Sequence, residues 1–170
     1  FSNGINFPTN NSFYVSLHST VGFHFRYGGT SQSNNFFISS FATTGLAANS
    51  WHHLAGTWNN KGTVTTLQLF VDGVMVASGS GTISFPVNTN SVFIGLNPNG
   101  TSLSGSMDEV RIWNTVRTQC QIQQFMNCEI TSTASGLVAN YHFNQGIPAG
   151  TNTFVPYNSL ADAAGSNTGT

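Results

Sequence analysis

Short stretches of alternating apolar and polar residues, separated by Gly, Asn, Pro and Ser, follow one another along the chain. Side chains of a strand point alternately to its two faces, so this pattern predicts half-buried β-strands. Frequent short strands with turn residues between them are typical of an antiparallel sandwich or barrel. The predicted strands cover residues 13–17, 22–27, 36–38, 51–58, 67–71, 74–77, 92–96, 107–113 and 137–143.

The Asp72-Gly73 pair gives the clearest local prediction in the chain. A type I′ turn needs positive φ at both central residues, and Asn-Gly or Asp-Gly is the preferred pair there. We therefore expect a tight hairpin between residues 67–71 and 74–77. The Asn-Pro-Asn-Gly sequence at residues 97–100 predicts a further turn.

One segment has helical rather than strand periodicity. Thr118 is a candidate N-cap, and Gln121, three residues later, completes a capping box. Ile122, Phe125 and Met126 then fall on one face of a helix, at spacings of three and four residues. We expect this apolar stripe to pack against the sandwich.

Composition narrows the class of protein. Charged residues make up 5% of the 170 residues, against about 25% in ordinary soluble domains, so neutral polar groups must cover the surface. The 14 Phe, 3 Trp and 4 Tyr can fill a core, which argues against disorder. A net charge of −1 with 4 Lys and Arg disfavours nucleic-acid binding and anionic membranes. No apolar run approaches the ~20 residues that span a bilayer.

The beginning of the chain does not argue against export, and its end predicts little regular structure. The chain starts at Phe1 without a visible signal peptide, and we interpret it as a mature or trimmed segment. Residues 146–170 are polar and turn-rich, and we expect a surface excursion that ends in a frayed terminus.

The two cysteines, Cys120 and Cys128, match neither a zinc motif nor a redox motif. The alternatives are a short-loop disulfide and two thiols, and export favours the disulfide. A continuous helix between them would hold them about 12 Å apart, whereas a disulfide needs Cα atoms within about 7 Å. The bridge therefore requires a helix that ends early.

The acidic residues argue against catalysis. Glycoside hydrolysis needs two carboxylates about 5–10 Å apart. Asp72 belongs to the predicted turn, and the neighbours Asp108 and Glu109 point to opposite faces of a predicted strand. The adjacent His52 and His53 also point apart, so they do not chelate one ion together. The chain has no Gly-x-Ser-x-Gly, His-Glu-x-x-His or phosphate-loop motif, and we predict that it is not an enzyme.

Asp108 is the candidate metal ligand. It shares a predicted strand face with Val110 and Ile112, while Glu109 and Arg111 share the opposite face and can pair. A carboxylate on the apolar face needs a partner, because burying an unpaired charge is costly. Calcium, which prefers oxygen ligands, and backbone N–H groups are the two partners that stay open.

Four segments, residues 51–58, 69–73, 105–114 and 136–143, together resemble the laminin-G-like, pentraxin-like branch of the concanavalin-A-like lectin/glucanase superfamily, as found in large bacterial surface proteins. The resemblance covers roughly residues 51–143. It implies an all-β, antiparallel two-sheet jelly-roll sandwich with one short helix, in a family that often holds calcium. The expected opening motif and closing strand are not seen, so residues 1–170 are predicted to form one laminin-G-like module that lacks an opening strand pair and a closing strand.

The resemblance and the uncharged polar loops predict a non-catalytic extracellular module for carbohydrate or glycoprotein recognition and adhesion. It would belong to a larger secreted or cell-surface protein and contact that protein's other domains. Tyr27 is a candidate for stacking on a sugar, and Asn97 and Asn99 are candidates for its hydroxyl groups. The alternatives are a structural spacer domain and an accessory module of a carbohydrate-active enzyme.

Overall fold

The structure, a computed structural model, describes residues 12–18, 22–28, 35–39, 49–61, 64–82, 94–95, 103, 105–145 and 160–167. Within these ranges every strand pair is antiparallel, and one short helix interrupts the strands. The predicted all-β sandwich class with one helix is confirmed. The elements are β1 (Ser12–His18), β2 (Gly22–Gly28), β3 (Asn35–Ser39), β4 (Leu54–Lys61), β5 (Val64–Val71), β6 (Val74–Gly81), β7 (Val110–Trp113), α1 (Gln119–Phe125) and β8 (Leu137–Tyr141).

The chain divides into two compact units. The first unit contains Phe1–Thr101 and Arg117–Asn127, and therefore β1 to β6 and α1. The second unit contains Ser102–Val116 and Cys128–Thr170, and therefore β7 and β8.

The described part of the first unit contains two three-stranded sheets, one in the order β1-β2-β3 and the other in the order β4-β5-β6. The first sheet approaches the second mainly through β3, which lies close to β5 and β6. Leu67, Leu69 and Val71 occupy alternate positions of the central strand β5 and form the core. Leu67 and Leu69 are both 0% exposed. Full burial of such a side chain contributes about 1.5–3 kcal/mol. The partly buried side chains packed against this core are Leu54, Trp58 and Ala77.

The predicted Asp72-Gly73 hairpin is confirmed. The two residues join β5 to β6 with φ values of 50° and 74°, the positive values that the turn requires. A Cβ added to Gly73 would lie 2.8 Å from Cγ of Gln123, and Nε2 of Gln123 donates to the Gly73 carbonyl at 2.9 Å. Glycine is therefore needed here both for its backbone conformation and for the close approach of α1.

The predicted helix is also confirmed as α1, with Thr118 as its N-cap. Gln121 N donates to Thr118 Oγ1 at 3.3 Å, and Thr118 N donates to Oε1 of Gln121 at 3.0 Å, which completes the capping box. Of the predicted stripe, Ile122 is buried, and Phe125 and Met126 are half-buried. The stripe therefore faces protein rather than solvent.

The predicted disulfide is not confirmed. No bond joins Cys120 and Cys128 in the structure, and both residues are exposed. The helix ends before Cys128, since α1 runs to Phe125 and has Met126 as its C-cap. Cys120 lies in the first turn of α1 and Cys128 lies beyond the C-cap, and this early end of the helix does not bring the two sulfurs into a bond.

Several predicted strand boundaries are wrong, and three of the differences coincide with a residue of positive φ. β7 begins at Val110 rather than at residue 107, because Glu109 has a φ of 51° and leaves the extended conformation. β8 ends at Tyr141, and Phe143 has a φ of 56°. Ile94 and Gly95 form a bend with Gly95 at φ 75°, where a strand over residues 92–96 was expected. β4 starts at Leu54 rather than residue 51, and the turn predicted at residues 97–100 lies outside the described residues.

The second unit is built on the antiparallel pair of β7 and β8. Part of the tail lies against β8: Ala163 N donates to the Asn140 carbonyl at 2.8 Å, and Nδ2 of Asn167 donates to the Val138 carbonyl at 3.3 Å. Residues 160–167 are mostly exposed, as a surface excursion predicts, but they are bonded to β8, and the predicted frayed end at residues 168–170 lies outside the described residues. These residues bind the backbone of β8, and the buried Asp162 lies among them.

Candidate functional site

The predicted ligand-binding residues are only partly described. Tyr27 lies in β2, opposite Phe13 of β1 and Phe36 of β3, but its side chain is outside the described part of the structure. Asn97 and Asn99 lie outside the described residues altogether. Their proposed contacts with sugar therefore stay predictions.

Asp108 does not share a strand face with Val110 and Ile112. It precedes β7, and the positive φ of Glu109 interrupts the alternation on which that prediction rested. Asp108 is exposed, and its Oδ1 accepts a hydrogen bond from the backbone N–H of Glu109 at 2.9 Å. A backbone N–H is thus one partner of this carboxylate, and calcium binding stays a prediction. Among the described residues, no group of three or more His, Cys, Asp or Glu side chains is placed to hold a metal ion.

The predicted pair of Glu109 and Arg111 is present, and it is part of a larger polar cluster. Arg111 Nη2 lies 2.6 Å from Oε2 of Glu109, and His142 Nδ1 lies 2.6 Å from Oε1. His142 Nε2 is 3.7 Å from Oε1 of Glu129. Burial alone would raise the pKa of Glu109, but the hydrogen bonds from His142 and Arg111 outweigh it and lower that pKa. No local pattern identifies His142 as the partner of Glu109, because the two residues lie 33 positions apart.

Asp162 is the most fully satisfied acid in the described structure. Its Oδ1 accepts from the backbone N–H groups of Asn140 and Ala164, both at 2.9 Å. Its Oδ2 accepts from Asn167 through the backbone N–H at 3.1 Å and the side-chain amide at 3.0 Å. Burial raises the pKa of this carboxyl, and these donors reverse the effect, so the pKa is lowered. Burial and the charge of Asp162 together raise the pKa of Tyr141.

Asp72 does more than form the hairpin turn. Its Oδ2 lies 2.8 Å from Nδ1 of His52, and its Oδ1 accepts from the backbone N–H of His53 at 2.9 Å. His52 Nε2 in turn lies 2.8 Å from Oγ of Ser50. Burial raises the pKa of Asp72, but the bonds to His52 and His53 outweigh it and lower the pKa. The residue between this Ser-His pair, Trp51, is 68% exposed.

This arrangement of acids suits structural roles better than proton transfer. A glycosidase needs one carboxylic acid whose pKa is raised so that it can protonate the leaving group. Three of the five acids, Asp72, Glu109 and Asp162, are instead held as carboxylates by hydrogen-bond donors that lower their pKa values. The other two, Asp108 and Glu129, are exposed.

A comparison with protein families identifies the superfamily of this chain. A laminin-G-type family model, described as the concanavalin A-like lectin/glucanases superfamily, matches residues 2–123. The chain belongs to this superfamily. The match begins well before residue 51, where the resemblance first became visible in the sequence, and it includes the whole of β1 to β6 and most of α1. Whether this laminin-G-like chain lacks an opening strand pair and a closing strand stays a prediction.

One solved structure that is similar to this superfamily member is a segment, residues 221–444, of an S-layer domain-containing protein from Clostridium thermocellum. The two share 19% identity, the match covers 73% of this chain and 69% of that chain, and the TM-score is 0.39. At these values no function is transferred from it. Among curated proteins, none matches the sequence. In the described part of the chain, no helix has the length and apolarity to cross a membrane.

Proposed function

We propose that the chain is a non-catalytic extracellular module that binds carbohydrate or glycoprotein as part of a larger secreted or cell-surface protein. The chain belongs to a superfamily that contains lectins and glucanases, and its buried and half-buried carboxylates are held in structural hydrogen bonds. This combination carries the proposal. The superfamily covers binding and hydrolysis, and the lowered pKa values of Glu109 and Asp162 favour binding.

The charge of the chain supports a neutral ligand. With a net charge of −1 and only 5% charged residues, the surface offers little electrostatic attraction to phosphates or to anionic lipids. Sugar hydroxyl groups are neutral and bind through hydroxyl and amide side chains, in which this sequence is rich. Tyr27, Asn97 and Asn99 are the proposed contacts, with Tyr27 stacking on a sugar ring and the two amides binding hydroxyl groups.

We also propose that Asp108 is a calcium ligand. The carboxylate is exposed, and hard cations such as calcium favour carboxylate and carbonyl oxygens. An ion that binds only the folded state stabilises it by RT ln(1 + c/Kd) at a free ion concentration c, so it raises the melting temperature as the ion concentration rises above Kd. We therefore expect a chelator to lower the melting temperature of the wild type, and Asp108→Ala to remove that effect. An unchanged melting curve with chelator would contradict calcium binding.

A glycan-array screen of the purified protein, with and without calcium, tests the binding proposal directly. Binding to a defined class of glycans, without release of reducing sugar, supports a lectin-type module. Release of reducing sugar would contradict the non-catalytic part of the proposal. A folded protein that binds no glycan under either condition would favour the spacer function instead.

A further inference from the structure

Trp51 is the most exposed of the large apolar side chains in the described part of the structure, at 68%. Trp58 and Trp113, by contrast, are half-buried. A tryptophan is the largest apolar side chain, so leaving it in water forgoes more burial free energy than any other residue would. An exposed position of this kind calls for a physical explanation.

The exposure of Trp51 does not come from a loose segment. Asp72 N donates to the carbonyl of His53 at 2.8 Å, and Asp72 Oδ1 accepts from the N–H of His53 at 2.9 Å. The side chain of His52 is fixed between Asp72 Oδ2 and Ser50 Oγ, with both distances at 2.8 Å. The residues on both sides of Trp51 are therefore bonded, and the two that follow it are bonded to the hairpin turn.

Preceding this segment, Asn49 has a φ of 64°, a left-handed conformation that Asn tolerates better than most residues. It places a turn immediately before the fixed segment. An aromatic ring on a backbone held in this way loses little conformational entropy when a ligand stacks on it, which favours binding.

The polar groups bonded to the residues that flank Trp51 suit a ligand with hydroxyl groups. Asp72 is 48% exposed at its side chain, and a carboxylate has about four acceptor positions, of which the bonds to His52 and His53 use two. Sites that combine one apolar or aromatic surface with a few fixed polar groups are typical of small-molecule recognition. A pyranose ring presents an apolar C–H face together with a rim of hydroxyl groups, and so matches both parts.

The same groups disfavour a nucleotide. Stacking of bases on aromatic side chains in nucleic-acid-binding proteins is accompanied by a positively charged groove for the phosphates. The bonded group beside Trp51 instead contains the carboxylate of Asp72, whose lowered pKa keeps it ionised at neutral pH.

We infer that Trp51 is a stacking platform for a pyranose ring, with the carboxylate of Asp72 as an acceptor for its hydroxyl groups. This inference rests on the proposed function and adds a site to it, because Tyr27, Asn97 and Asn99 are different residues. Trp51 binds the apolar face of the sugar, and the bonds among Ser50, His52 and Asp72 hold the platform in place.

The test is a titration of the full chain with soluble tri- to hexasaccharides of glucose, mannose, galactose and N-acetylglucosamine, followed by tryptophan fluorescence and by calorimetry. For each sugar that binds, we expect Trp51→Ala to weaken affinity at least tenfold. Trp51→Tyr, which keeps a flat ring, should stay within about threefold of the wild type. Val64→Ala, which shortens another exposed apolar side chain of the first unit, is the matched control and should change nothing. Melting temperatures confirm that each variant is folded.

The outcomes separate this inference from the proposed function. Sugar binding that survives Trp51→Ala unchanged, and that Tyr27→Ala abolishes, overturns the Trp51 site and leaves the binding function intact. A folded wild type that binds none of these sugars and no glycan on an array overturns both. A selective loss in Trp51→Ala, with retention in Trp51→Tyr and Val64→Ala, supports both.

Discussion

Two strands, one from each unit, are buried by different means. In β5, the central strand of its sheet, the buried positions Leu67, Leu69 and Val71 form an apolar core. In β8, the buried Asn140 is 0% exposed between Ala139 and Tyr141. Its side-chain amide donates to the Ile130 carbonyl at 3.2 Å, and the tail binds its backbone at both the N–H and the carbonyl.

The difference lies in how specific the stabilising partners are. Apolar side chains in β5 are stabilised by any well-packed apolar neighbour, since burial from water is not directional. The backbone of β8 depends on Asp162, which lies 22 residues from Asn140 and accepts its N–H at 2.9 Å. The stability of the region around β5 should therefore fall when side-chain volume is lost. The stability of the region around β8 should fall when an individual donor, acceptor or charge is lost.

The largest expected effect is in the apolar strand. Leu69→Ala removes a side chain that is 0% exposed, and the cavity that it leaves should lower the free energy of unfolding by about 3 kcal/mol. The loss should be similar at pH 7 and at pH 4, because no charge is involved. Denaturant unfolding at both values measures it. Val74→Ala, at a position 56% exposed on neighbouring β6, is the control and should change stability by less than about 0.5 kcal/mol.

The polar strand should respond to a change that preserves volume. Asp162→Asn is nearly isosteric, but its amide group cannot accept all four hydrogen bonds, so about 2–3 kcal/mol of stability should be lost at pH 7. Amide hydrogen exchange should show the loss of protection at Asn140. Glu129→Gln changes an acid whose side chain is 70% exposed, and it should leave stability almost unchanged. Equal effects of the two substitutions would remove the distinction between the regions.

Acid should separate the two regions further. The folded-state pKa values of Glu109 and Asp162 are lowered relative to ordinary carboxyl groups, so their stabilisation is present above the unfolded pKa near 4. It is lost as pH falls through that value toward the lower folded pKa values. Asp72 should contribute less, because its side chain is 48% exposed and solvent screens its bonds. In a titration of melting temperature from pH 7 to pH 3, wild type should lose more stability than Asp162→Asn. Parallel curves would exclude Asp162 as a source of the acid sensitivity.

The smallest expected effect concerns a local motif of the first unit. Thr118→Ala removes the hydroxyl that accepts from Gln121 N and should cost about 1 kcal/mol. Thermal unfolding followed by circular dichroism measures the change. Thr133→Ala, at an exposed position after α1, is the matched control. A loss at Thr118 as large as that of Leu69→Ala would mean that α1 supports far more of the first unit than its single cap.

The parts of the fold that could be predicted have both partners close together in the sequence. The Asp72-Gly73 hairpin and the Thr118 capping box were both correct, because a turn and a cap depend on residues two or three positions apart. The strand limits near Glu109 and Phe143 are not predicted, because Glu and Phe rarely adopt a positive φ and their residue types do not indicate one.

The candidate site could be predicted much less well. Asp72 was assigned to the turn alone, since its bond to His52 spans 20 residues and exists only once β4 and β5 pair. Trp51 lies three residues before β4 and is exposed, whereas the sequence predicts a strand over residues 51–58. Strand periodicity indicates which side chains share a face, but not where the strand begins.

The sequence by itself determined the all-β class, the hairpin, the capped helix and the low content of basic residues. These features follow from periodicity, neighbouring residues and composition, all of which are local or additive. Only the tertiary structure decided that Asp162 is a buried acceptor for β8, that His142 binds Glu109, and that Trp51 is exposed on a fixed segment. The physical reason is that a charged or aromatic side chain has many possible partners, and chain reversal over 20 to 33 residues selects among them.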